Sequence, residues 1–97
     1  MPTYIVLGSY TDQGVRAVKD TVKRAEAARE TARKLGATMK EIYWTLGDYD
    51  IAILLDAPDN ATATAFGLSV GALGNVRTHT LAAFNAEEMG KVLGRMA

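Results

Sequence analysis

Tyr43 to Pro58 reads YWTLGDYDIAILLDAP, and the fold turns on whether Gly47-Asp48 joins two strands. Thr38 to Leu46 and Tyr49 to Ala57 are rich in Ile, Tyr, Trp, Thr and Leu, residue types suited to a pleated, half-buried surface. Only Gly47-Asp48 separates them, so the stretch predicts a tight antiparallel hairpin in which glycine supplies the positive φ that other residues adopt at a cost. Pro58 then stops the second strand, because it has no N–H to give to a ladder. Side chains alternate along a strand, so the consecutive Tyr43 and Trp44 point to opposite faces. The face of Tyr49, Ile51, Ile53 and Leu55 is apolar throughout and is expected to meet helices, leaving Asp50, Ala52, Leu54 and Asp56 on the other side.

Working outward, Thr3 to Ser9 reads as a strand that meets turn chemistry at Thr11-Asp12-Gln13-Gly14. Val15, Val18, Val22, Ala25, Ala32 and Leu35 then recur at helical spacing, with charged residues between them, until Gly36 ends the helix. Its start is open: Thr11 can cap one long helix, or Asp20 or Thr21 can cap a second segment after a short first one. After Pro58, Asp59 or Asn60 is placed to cap a helix over Ala61 to Leu73, which Gly74-Asn75 closes. Val76 to Phe84 is a fourth strand. Asn85 and Glu88 stand at capping-box spacing before Met89, Val92, Leu93 and Met96, which share one face of a last helix. The order strand, helix, strand, strand, helix, strand, helix predicts an α+β fold of ferredoxin-like βαββαβ type with a C-terminal helix and an antiparallel four-stranded sheet.

The stretches YWTLGDYD, GALGNVRT and KRAEA resemble the GYD domain family, whose name echoes Gly47-Asp48-Tyr49-Asp50, and the likeness runs from the first strand to Phe84. The resemblance implies a small protein of the dimeric α/β-barrel kind, in which two sheets pack back to back. It implies no particular reaction.

Composition sets the outer bounds. Ninety-seven residues fit one domain, residues 1–97, small enough that sharing a core with a second copy would help bury apolar surface. Hydrophobic residues make up 48% and charged residues 23%, the balance of a globular chain. Eleven basic against eleven acidic residues leave no net charge, which removes the electrostatic footprint of a nucleic-acid binder. There is no cysteine, so neither disulfides nor thiolate chemistry are available. With no signal-peptide pattern and no apolar run of membrane-spanning length, the expectation is a cytoplasmic protein without a membrane partner.

Several residues are candidates for chemistry. His79, the only histidine, lies two residues from Arg77, so the two share a strand face with Asn75 and Leu81. A neutral imidazole beside a guanidinium suits proton transfer next to a carbonyl, with Tyr4 or Tyr43 as helper; a strand-face pair satisfied by solvent is the commoner use of such residues. One histidine without cysteine cannot build an ordinary soft-ligand site, so no metal and no cofactor are expected. Asp48 and Asp50 read first as turn residues, with Asp50 the better placed to meet a partner or ligand. Tyr43, Trp44, Asp50 and Phe66 are the candidate ligand contacts. No charged residue occurs from Asn60 to Val76, and Ala63, Gly67 and Gly71 form a small-residue stripe, which predicts a helix covered by another subunit or bordering a cavity. Three functions fit: a self-associating protein, a homodimer or higher even oligomer, binding a small apolar or aromatic metabolite; a cofactor-free enzyme of isomerase or monooxygenase type using His79 and Arg77; or a structural assembly module.

Overall fold

A computed structural model describes all residues, 1–97. Strand β1 (Thr3–Tyr10) leads into a short helix α1 (Asp12–Arg16), a 3-10 turn (Val18–Asp20) and helix α2 (Thr21–Lys34). Strands β2 (Thr38–Trp44) and β3 (Ile51–Asp56), helix α3 (Asn60–Ala72), strand β4 (Val76–Ala83) and helix α4 (Ala86–Leu93) follow. The sheet order is β2-β3-β1-β4, antiparallel throughout, which is the ferredoxin-like arrangement expected from the element order.

The open question at the first helix is settled by long-range contacts. Thr11 Oγ1 accepts from Gly14 N at 3.1 Å, donates to Gly74 O at 2.5 Å, and so caps α1 while clamping it to the loop after α3. Gln13 Nε2 reaches Leu73 O at 3.1 Å and Asn75 Oδ1 at 3.0 Å. The chain is thus held against that loop before it can continue as one helix, and α2 starts afresh at Thr21. The break changes the phase of the helix. Ala25, Ala28 and Ala32 turn toward the sheet, whereas Val15, Val18, Val22 and Leu35, expected on the inner face, are exposed. Asp20 occupies the cap position of α2 without a side-chain capping bond.

The hairpin is also looser than a two-residue turn. Thr45 N bonds Asp50 O at 2.8 Å, enclosing the four residues Leu46 to Tyr49, and Thr45 Oγ1 donates to Tyr49 O at 2.5 Å. Gly47 has φ +118°, the positive value that its place in the turn required. Because the loop is irregular, strand alternation does not carry back through it. Tyr49 lies edge-on to His79, with ring centroids 5.5 Å apart and planes at 70°, on the side opposite the helices and not beside Ile51.

One face of the sheet carries Tyr4, Val6, Ile51, Ile53, Leu55 and Met39 against α2 and α3, and with Ala32, Ala37, Ala57, Ala63 and Phe66 these form the core. In β2 a bulge at Lys40 shifts the register between Met39 and Glu41. Before it an odd residue, Met39, faces the helices; after it the even residues Ile42 and Trp44 do, opposite Ile53 and Ile51. On α3 the small-residue stripe faces the sheet: a Cβ on Gly67 would stand 3.2 Å from Thr78 Oγ1, so the stripe brings the helix down onto β4. Asp59 caps α3, accepting from Thr62 N at 2.8 Å. Asn85 and Glu88 form the expected capping box at α4, yet Met89, Val92, Leu93 and Met96 on that helix and just after it remain exposed.

Candidate functional site

The side of the sheet that meets the helices contains a cavity. Toward the middle of this space α2 presents the alanines Ala25 and Ala28, too small to fill what is left beside Phe66 and Val70 of α3 and Ile42, Ile51 and Ile53 of the sheet. A mostly apolar hollow of about 70 Å³ results, lined by 11 hydrophobic residues among 18. Trp44, 42% exposed, stands at its rim. Trp44 Nε1 donates to Thr21 Oγ1 at 3.0 Å, and the Tyr10 hydroxyl meets the same oxygen at 2.9 Å, so the first turn of α2 is tied to β1 and β2 at this end of the cavity. Arg24, one turn further along α2, also lines the space.

The candidate residues fall into three places. Trp44 and Phe66 line the cavity together. Arg77, His79 and Tyr43 lie on the opposite, open face: His79 is paired across the ladder with Leu7, Arg77 with Ser9 and Tyr43 with Ala52. Arg77 and His79 are therefore neighbours, as the period of two required, but Tyr43 stands at the far edge of the sheet, about 14 Å away at the usual strand spacing. Tyr4 is on the helix side with its hydroxyl bonded to Asn60 Oδ1 at 2.6 Å, which separates it from His79 by the thickness of the sheet. Asp50, expected on the open face, instead aims its carboxylate at β1, where Oδ2 accepts from Tyr10 N at 2.9 Å; its own N–H donates to Gly8 O at 2.8 Å. The signature loop thus closes the hairpin through Asp50 and touches His79, which stays exposed, through Tyr49.

The sequence did not mark Arg24, Ile42 or Val70 for the site, and Thr21 stood there only as a candidate helix cap. Their one available signal is position: Thr21, Ala25 and Ala28 share a helix face with Arg24 at its border, a face visible only once α2 is known to begin at Thr21. No cluster of three His, Cys, Asp or Glu side chains suited to a metal is brought together, and no helix is long and apolar enough to cross a membrane.

Topology and cavity together define a small ferredoxin-like α+β protein with a mostly apolar compartment between sheet and helices. The chain belongs to the GYD domain family, whose model matches residues 4–93. It is similar to a Thermus thermophilus protein named glutamine synthetase and cystathionine beta-lyase binding protein, with 34% identity over 90 residues that cover 92% of this chain and 95% of the relative. A solved Thermus thermophilus structure, TTHA0845, superposes with a TM-score of 0.58 at 27% identity, covering 89% of this chain and 96% of that one.

Proposed function

We propose that this protein acts by binding and not by catalysis: it holds a small apolar or aromatic metabolite between sheet and helices and works through association with other protein chains. The observation that carries this reading is the cavity itself, which is bounded by α2, α3 and all four strands and has an indole at its rim. A mostly apolar lining with a few polar groups is that of a small-molecule site, here at about 70 Å³ and so below the usual range of about 300–1,000 Å³. The catalytic alternative draws less support. Arg77 and His79 are exposed on the open face and line no part of this cavity, so nothing holds a substrate against the imidazole.

Self-association is favoured by the scarcity of core: 14 of 97 residues are buried, while Ile5, Leu7, Leu54 and Leu81 form an apolar field on the sheet face that no helix covers. Two such faces packed back to back would give a homodimer of the dimeric α/β-barrel kind, in a cytoplasmic setting. The relative's name extends the reading to a second partner, an enzyme of the glutamine synthetase or cystathionine beta-lyase type, which the dimer would bind.

Native mass spectrometry of protein purified from its own host tests the central reading. A dimer carrying a substoichiometric or stoichiometric small molecule is the expected result. A ligand-free monomer whose Trp44 fluorescence answers to no apolar metabolite would remove it. Calorimetric titration of the purified dimer into the host's own glutamine synthetase and cystathionine beta-lyase tests the partner.

A further inference from the structure

Arg24 is the one charged side chain lining a mostly apolar compartment, and one of its terminal nitrogens is without a partner. Nη1 donates to Ala17 O at 2.9 Å, at the end of α1. Nη2 is shielded from solvent and has no acceptor within the protein. The chain's two ion pairs, Arg33 with Glu30 and Lys40 with Asp56, do not involve it. A cationic donor withdrawn from water without an acceptor is costly, and native proteins seldom leave one so. Its neighbours add to the demand for an anion. Arg24 lies one turn into a 14-residue helix, near the end where the aligned peptide dipoles favour negative charge. The adjacent Thr21 hydroxyl takes the Trp44 indole proton and meets the Tyr10 hydroxyl, which fixes the oxygen at the rim.

We infer that the cavity's ligand is a carboxylate with a short apolar tail, its carboxylate taken up by the Arg24 guanidinium and its tail lying beside Phe66, Ile42 and Val70. This rests on the metabolite-binding reading of the same cavity and adds the chemical class. The cavity, about 70 Å³, suits a branched chain of a few carbons. Dispersion and burial would hold the tail, and the charge-assisted bond would select the head.

The test compares isovalerate with the neutral isovaleramide, which has the same shape. Trp44 is the only tryptophan, so its emission reports on the rim directly, with calorimetry as a check. In the parent protein isovalerate is expected to bind about tenfold or more tightly than the amide, the worth of one hydrogen bond to a charged group. Arg24→Gln should bring the acid down to the level of the amide while leaving the amide unchanged. Equal affinity of the two probes in the parent overturns the inference and leaves metabolite binding standing, and this arm needs no variant to fold. Retention of the acid preference in Arg24→Gln overturns it equally. Failure of both probes to bind at millimolar concentration removes the cavity reading along with it.

Discussion

At the scale of single residues, Asp50 joins three parts of the chain: its carboxylate holds Tyr10 N, its N–H meets Gly8 O, and its carbonyl closes the loop from Thr45. Asp50→Ala keeps the two backbone bonds and strands the Tyr10 amide, which is part-buried. Leaving such a donor unpaired costs about 1–3 kcal/mol, and Asp50→Asn, which retains an acceptor, should recover most of it in urea unfolding. Gly14 is set by a different constraint. A Cβ there would lie 2.0 Å from Asn75 O and 2.9 Å from its carbonyl carbon, both backbone atoms that are already bonded or held in place. Gly14→Ala must therefore pry α1 off the loop after α3. We expect a lowered Tm and faster hydrogen exchange at Thr11 and Asn75; a variant with parental stability would show that this contact is soft.

At the scale of elements, caps decide where helices begin, and α3 gives the clearest pH dependence. Asp59 accepts the Thr62 backbone N–H and its hydroxyl, at 2.8 and 2.7 Å, and these bonds hold its carboxyl below the usual aspartate range. Because the native value is the depressed one, the stabilisation is fully present above the ordinary aspartate value and is lost as pH falls through the lowered one. Asp59→Asn can cap the same helix without titrating. The difference in Tm between parent and variant should shrink or reverse on acidification, and a constant difference from neutral to strongly acid pH would refute the role. This cap, the Asn85–Glu88 box and the order of strands were legible in the sequence because each depends on residues close along the chain. The split between α1 and α2 stood in the sequence as one of two alternatives and no more, since Thr11 and Gln13 find their partners 60 or more positions away. The site was half legible for the same reason. Period two placed Arg77 beside His79 and set Tyr43 against Trp44, but which face met the cavity depended on register. Arg24 gained meaning only from the atoms around it.

For the whole molecule, the uncovered sheet face carries the expectation of a dimer. Leu54 is 36% and Leu81 49% exposed, and both stand among Ile5 and Leu7 on that face. Replacing either by lysine would place a charge in the proposed sheet-to-sheet contact without touching the core. Light scattering should then report one chain in place of two, with the helix and strand signals of circular dichroism kept. An unchanged dimer in the Leu54→Lys, Leu81→Lys double variant would mean that association uses another surface, α4 being the next to test, since its apolar side is also bare.

The bulge at Lys40 has a consequence for any saturation mutagenesis of this protein. A sheet one residue thick separates the compartment from the outer face, so neighbouring positions in a strand answer to different selections. Sensitivity to ligand and sensitivity to association should interleave like the teeth of two combs: Thr78 and Thr80 against Arg77 and His79, Ile53 against Leu54. In β2 the combs exchange phase at Lys40, so Met39 falls in step with Ile42 and Trp44 despite its odd number. Deleting that single residue would restore one phase along the strand with every pairing kept, Met39 against Leu55, Glu41 against Leu54, Ile42 against Ile53 and Trp44 against Ile51. In such data the bulge would read as a frameshift in phenotype with no frameshift in the gene.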